Sequence, residues 1–295
     1  MMIRNGTAAG ALFKRVFFSG AAIACLLISG AAMPQKFATY PKLDRPEVLQ
    51  FLFHPRKDPP SEPLPAAVDY TIAVDTGAVI ACRFYIAGPQ APAILFFHGN
   101  GETVGDYKEN GLMYNRLGIS LLAVDYRGYG RSTGSPTASS MVRDAHTIYF
   151  EVQKWRAQQK HTGPLYIMGR SLGSISAIEL AANYQGELAG LIIESGFAYT
   201  EPLLRFLGVD TKRLGITEAD CFGNLDKIKG FKKPLLIMHA QFDQFIPVSD
   251  AEALLKNCPA PRKQLKVIPG ADHNSILRFG GSDYFKFIKN FIDGQ

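Results

Sequence analysis

Only four cysteines occur in the chain (Cys25, Cys82, Cys221 and Cys258), and no two stand at the short spacing of a zinc-ligand pair or a redox motif. A disulfide framework and a cysteine metal centre are thus not indicated; the thiols read as small apolar residues, with a single bridge as the alternative for an exported domain. Charge is sparse as well. Charged residues make up 20% of the chain and form no long run of one sign, so the net charge of +6 gives no reason to expect nucleic acid as a partner. Half of that excess is local, because Arg4, Lys14 and Arg15 stand in residues 1–35 without an acid. No repeat of fixed period is present, which excludes a solenoid or propeller. What remains is an ordinary globular composition, 47% apolar over 295 residues, enough for one large α/β domain or two small ones.

The N-terminus is set apart from the rest. Lys14 and Arg15 precede "VFFSGAAIACLLISGAAM", a stretch without charge. A basic start, an apolar run and small residues before Pro34 read as an export signal. The length also suits an uncleaved transmembrane anchor. Residues 1–35 are therefore expected to be a signal peptide or N-terminal membrane anchor, with a buried helix as the alternative. The main domain is expected on the periplasmic or extracellular side, with the membrane as a partner through this segment. Residues 36–65 hold seven prolines and read as an extended spacer, in which "FLFHP" docks on the domain and His54 is a surface residue.

Residues 66–295 change character. "VDYTIAVD" and "VIACRFYI" flank Thr76, Gly77 and Ala78 and read as a β-hairpin. "PAILFFH", "SLLAVDY", "PLYIMG", "GLIIES", "PLLIMHA" and "QLKVIPG" are short continuous apolar runs, as in strands buried on both faces. Helical spacing separates them, at about 106–117, 138–158, 172–184, 248–257 and 282–292. The pattern predicts an α/β fold: a mostly parallel sheet with an antiparallel N-terminal hairpin and helices on both faces. Ligands of such sheets bind at the carboxyl ends of the strands.

Two copies of Gly-Arg-Ser-x-Gly fit the signature of a serine nucleophile, at 130–134 and 169–173. The motif needs a strand running directly into the turn and a helix starting directly after it. Ser171 meets this condition, between "PLYIM" and "SISAIELAANY". Ser132 does not, because "YRGYG" separates it from its strand and Pro136 delays the next helix. Its hydroxyl is expected to bond nearby backbone.

A serine needs a base, and the base needs an orienting carboxylate. His273 follows the last strand, at a carboxyl end. His98, at another strand end, is expected to shape its loop. Asp243 follows "PLLIM" and is the candidate acid, with Glu194 at the end of "GLIIE" as its rival. Asp272 adjoins His273 and is expected to point away. For a tetrahedral intermediate the backbone N–H donors are expected from Leu172, after the nucleophile, and from Asn100 in "HGNGE", with Gly101 as the neighbouring choice.

These residues resemble the α/β-hydrolase superfamily, closest to its Bem46-like and serine-aminopeptidase-like branch. The resemblance covers about residues 66–295 and rests on "FFHGNGE", "VDYRGYGRSTGSPT", "GRSLG", "LIIESGF", "PLLIMHAQFD" and "PGADHN", in family order. It implies a Ser171–Asp243–His273 triad, a two-amide oxyanion hole and a structural role for the loop that holds Ser132. The chain departs from the family pattern at Ala240 and Asp272, where glycine is usual beside the acid and base loops. A short cap is expected at about 198–233, with Phe206, Leu207 and Phe222 facing either an acyl pocket or the sheet edge. The expected activity is a serine hydrolase cleaving a carboxylic ester, with thioester and amide as alternatives, on a small or lipid-like substrate and without metal or cofactor. Peptidase or perhydrolase chemistry would use the same triad. A non-catalytic binding protein on this fold is the rival from another class.

Overall fold

A computed structural model of the chain describes residues 37–59, 64, 66–75 and 77–295. Its frame is a sheet of eight strands in the order β1-β2-β4-β3-β5-β6-β7-β8. These are β1 (Val68–Asp75), β2 (Ala78–Tyr85), β3 (Ala93–Phe97), β4 (Ser120–Val124), β5 (Leu165–Arg170), β6 (Gly190–Glu194), β7 (Leu235–Ala240) and β8 (Lys263–Ile268). β2 runs antiparallel to both β1 and β4, and every other pairing is parallel. The α/β architecture with an antiparallel N-terminal pair is the one that the alternation of apolar runs and helical segments predicts.

The continuous apolar character of the strands has a direct cause. Side chains alternate across a strand, so a strand covered on both faces must be apolar throughout. In β3, Leu95 and Phe97 enter one core, and Ile94 and Phe96 enter the other. The first core is closed by α3 (Ala138–Gln158), α4 (Ser174–Tyr184) and α8 (Val248–Asn257), and the second by α2 (Lys108–Arg116) and α9 (Ile276–Ile292). α9 bends at Gly281, whose φ of 48° lies in the left-handed region.

Residues 37–58 pack against this body. Helix α1 (Pro46–Leu52) starts on Pro46 and buries Val48 and Leu52, and Tyr40, Leu43 and Phe53 are buried beside it. The Asp44 carboxylate accepts from the Ser139 N–H at 3.0 Å, which satisfies a donor in the first turn of α3. The span 198–233 holds three short helices, α5 (Thr200–Phe206), α6 (Thr211–Leu214) and α7 (Asn224–Ile228).

The assignment of a signal peptide, a transmembrane helix and an exported or membrane-anchored placement is corrected. The segment that suggested it, residues 1–35, lies outside the described residues. Among the described residues no helix is long and apolar enough to cross a membrane. The longest, α3, spreads Arg143, Asp144, Glu151, Lys154 and Arg156 along its length. A membrane partner through the N-terminal segment is withdrawn with it.

Candidate active site

β5 delivers its last residue, Arg170, directly to Ser171, and α4 begins at Ser174. Ser171 has φ 48°, a left-handed conformation that costs a non-glycine residue of order 1 kcal/mol or more. The flanking glycines make the turn feasible. A methyl group on Gly169 would collide with the Gly173 carbonyl, and one on Gly173 with the Phe97 carbonyl of β3. The hydroxyl of Ser171 is thereby raised at the carboxyl edge of the sheet.

The other loops bring their side chains to it. His273 Nε2 lies 2.9 Å from Ser171 Oγ, and His273 Nδ1 lies 2.7 Å from Asp243 Oδ2. With Nδ1–H donating to the carboxylate, Nε2 is left to accept the serine proton. The Asp243 side chain is fully buried, and its other oxygen accepts from the N–H groups of Phe245 at 3.0 Å and Ile246 at 2.9 Å. Burial pushes this carboxyl up, but the bond from His273 and the Ile246 amide outweigh it and hold it below the ordinary aspartate value. His239, on the neighbouring face, is kept neutral by burial and donates from Nε2 to the Ile246 carbonyl. It fixes the loop that carries the acid.

The rivals are placed elsewhere. Glu194 meets Arg170 Nε at 3.1 Å and the Tyr284 hydroxyl at 2.5 Å, behind the nucleophile. Asp272 turns back onto the Asn274 N–H. His98 lies between the Gly99 carbonyl of its own loop and Asp125, which follows β4. Ser132 is buried, and its hydroxyl accepts from the Ala81 N–H at 2.9 Å.

Ser171, His273, Asn100 and Leu172 line one cavity of about 280 Å³. Its far walls are apolar. Leu203 and Leu207 come from the cap, and Phe245 and Ile246 from the acid loop. Phe206 lines an adjoining cavity of about 250 Å³ that shares Leu203 and Phe245, and it is 58% exposed. Phe222 faces neither cavity and packs on Tyr40 in the core. Among the described residues no cluster of His, Cys, Asp or Glu is arranged to hold a metal ion.

Two contributors escape a reading of the sequence. His54 is exposed, as its reading as a surface residue expects, but it also lines the cavity, and its N–H donates to the Asn100 side-chain carbonyl at 2.9 Å. Asn100 reaches back to the Leu52 carbonyl at 3.1 Å, and the Tyr129 hydroxyl donates to it at 2.6 Å. The stretch after α1 thus anchors the loop expected to bind an oxyanion. The second is Arg170, which also lines the cavity and donates from Nη2 to the His273 carbonyl at 2.9 Å. The proline at 55 and the "HP" pair hint at a fixed turn, but no local signal shows what either side chain meets.

Comparison with known proteins is consistent with this geometry. Residues 88–214 match the family described as serine aminopeptidase, S33. The human alpha/beta hydrolase domain-containing protein 17B is 31% identical over 221 residues, covering 74% of this chain and 73% of that protein. A protein 17C of the same series from Xenopus tropicalis is 29% identical over 230 residues, 75% of this chain and 68% of that protein. Among solved structures, an esterase from Pyrococcus furiosus superposes with a TM-score of 0.65 at 15% identity, over 82% of this chain and 97% of that one. A soluble variant of monoglyceride lipase from Saccharomyces cerevisiae, in complex with a substrate analogue, gives 0.59 at 18% identity, over 80% and 98%.

Proposed function

The chain belongs to the α/β-hydrolase superfamily and is a hydrolase, and we propose that it cleaves carboxylic esters through an acyl-enzyme on Ser171. The observation that carries this reading is the unbroken line Ser171–His273–Asp243, with contacts of 2.9 and 2.7 Å, opening into an apolar cavity. His273 Nε2 takes the serine proton as Oγ forms its bond to the substrate carbonyl carbon. Asp243 holds the imidazole tautomer and stabilises the imidazolium. The carbonyl oxygen becomes an oxyanion facing the N–H groups of Leu172 and Asn100. Collapse breaks the bond to the alcohol, which leaves with the proton from His273. A water, deprotonated by the same imidazole, then releases the acid and restores Ser171.

An ester suits the lining better than the N-terminus of a peptide. An α-ammonium group calls for a carboxylate partner, and among the described residues that line the cavity there is none. Leu203, Leu207, Phe245 and Ile246 instead favour an apolar acyl or alcohol group. Thioesters and amides pass through the same intermediate. The esterase and the monoglyceride lipase among the similar folds act in keeping with this choice.

The test is labelling of the full chain with a fluorophosphonate probe. The wild type and Ser132→Ala are expected to label, and Ser171→Ala is not. Labelling that persists in Ser171→Ala and vanishes in Ser132→Ala would overturn the assignment. A screen of p-nitrophenyl esters then reads chain-length preference.

A further inference from the structure

Arg170, one residue before the nucleophile, is 8% exposed and uses three faces of its guanidinium. Nη1 pairs with the Glu102 carboxylate. Nε donates to Glu194 at 3.1 Å, and Nη2 donates to the His273 carbonyl at 2.9 Å. Glu102 in turn accepts from the Gly99 N–H at 2.7 Å and from the Tyr107 hydroxyl at 2.6 Å. Gly99 directly precedes Asn100. A methyl group on Gly99 would collide with Arg170 Nη1, so the loop is shaped to admit the guanidinium.

One side chain therefore touches the turn of Ser171, the loop of His273 and, through Glu102, the loop of Asn100. These loops leave three different strands, β5, β8 and β3. We propose that Arg170, acting with Glu102, is the positioning residue that sets the nucleophile, the base and the oxyanion-binding amide at their mutual distances. This rests on the serine-hydrolase reading above. The physical case has two parts. Burying one cation between two carboxylates is costly, and apolar residues of similar volume would fill the space at lower cost, so stability alone does not explain the group. The task also suits arginine in particular. Its donors point in fixed directions from a plane, whereas lysine offers a single charged point on a flexible stem. Catalytic groups must be held to about 0.5 Å, and a misplacement of about 1 Å can cost about 100-fold.

The experiment compares full-length wild type with Arg170→Lys, with the nearly isosteric Glu102→Gln and with the double variant. Fluorophosphonate labelling gives both the fraction of reactive sites and the rate constant, and p-nitrophenyl butyrate gives kcat and KM. Each single variant is expected to label to the same final stoichiometry about 10–100-fold more slowly, with kcat reduced in parallel and KM within about 3-fold. The double variant is expected to be little worse than the slower single one, since both act through one linkage. Unchanged rate constants per reactive site, with only a lower melting temperature, would make Arg170 structural and overturn the proposal. Fully additive losses would overturn the joint role with Glu102. A wild type that does not label at all would sink the serine-hydrolase reading itself, and this one with it.

Discussion

Among the described residues the series carboxylate, imidazole, hydroxyl occurs at two places. At the carboxyl edge of the sheet stand Asp243, His273 and Ser171. Between α3 and α4 stand Glu179, His146 and Tyr184, with contacts of 3.0 Å to the carboxylate and 2.6 Å to the hydroxyl. The order of groups is the same, but the ring nitrogens are exchanged: His273 turns Nδ1 to its carboxylate and Nε2 to its hydroxyl, whereas His146 turns Nε2 to its carboxylate and Nδ1 to its hydroxyl, and the surroundings differ as well. His146 is 1% exposed, Phe37 stacks on its ring at 4.4 Å, and Tyr149 stacks on Tyr184 at 4.4 Å. Lys227 pairs with the second oxygen of Glu179 at 2.6 Å. A lysine thus neutralises this carboxylate. Asp243 meets backbone N–H groups and imidazole, so in the proposed mechanism its charge is the one that stabilises the imidazolium. A hydrogen-bonded chain of three groups is common structural material. It becomes a catalytic candidate when the hydroxyl sits on a strained turn, faces a cavity and keeps an unneutralised acid behind it.

The sharpest way to break this comparison is to remove each imidazole in turn. His273→Ala is expected to lower kcat on a p-nitrophenyl ester by about 10⁴-fold or more, and to cost about 1–3 kcal/mol of stability because the buried Asp243 carboxylate loses its partner. His146→Ala is expected to keep kcat within about 3-fold and to lose about 1–3 kcal/mol of stability, because Glu179 and Tyr184 each lose a buried partner. Steady-state kinetics beside urea unfolding checks both. A comparable loss of activity in the two variants would mean that the enclosed group is not merely structural.

The ease with which these regions are read from the sequence differs for the same reason. Ser171, Asp243 and His273 each follow an apolar strand run, so the local pattern places them at one edge before any contact is known. The mostly parallel sheet, its antiparallel N-terminal pair and both layers of helices follow from the same periodicities, while the strand order, with β4 between β2 and β3, does not, because periodicity carries no information on which strands are neighbours. Glu194 shows the limit of that logic. It also ends a strand, but its carboxylate meets Arg170 and Tyr284, which lie 24 and 90 residues away in the chain. Arg170, His54 and the His146 group are defined by such distant partners, and no short window contains them. Residues 37–58 mislead in a related way. Their prolines suggest an extended spacer with only "FLFHP" docked; Leu52 and Phe53 of that stretch are indeed buried, but Leu43 and Val48 are too, and they fix the segment before it to the body as well.

A smaller effect separates the two carboxylates in acid. Burial raises the Glu179 carboxyl, but the bond from His146 and the charge of Lys227 outweigh it and bring it down to about 2. A carboxyl held lower in the folded state than its ordinary value of about 4.3 contributes stability above that value, and loses it as the pH falls towards the folded one. Wild type is therefore expected to lose on the order of 3 kcal/mol from this group between about pH 4.5 and 2. Glu179→Gln should flatten that part of the stability curve and leave the pH profile of kcat/KM unchanged. Urea midpoints measured across the window decide it, and an unaltered slope would remove the ion pair from the account.

The smallest effect is expected at the hydroxyls of the repeated motif, where the contrast between site and scaffold is reduced to a single atom. Ser171 Oγ faces an imidazole, and Ser132 Oγ accepts from the Ala81 N–H of β2. Gly130, with φ 51°, closes its loop against Asp125, so the first motif is a tight turn built to hold strand and loop together. Ser132→Ala leaves one buried backbone donor without that partner, which costs about 1–3 kcal/mol. Replacement by threonine would restore the oxygen at the expense of an extra methyl group in a packed site. Melting temperatures are therefore expected in the order wild type, Ser132→Thr, Ser132→Ala, with the fluorophosphonate labelling rate of Ser171 equal in all three. A labelling rate that fell in step with stability would mean that the two Gly-Arg-Ser-x-Gly turns are coupled through the sheet, and that the scaffold motif helps to set the geometry of the reactive one.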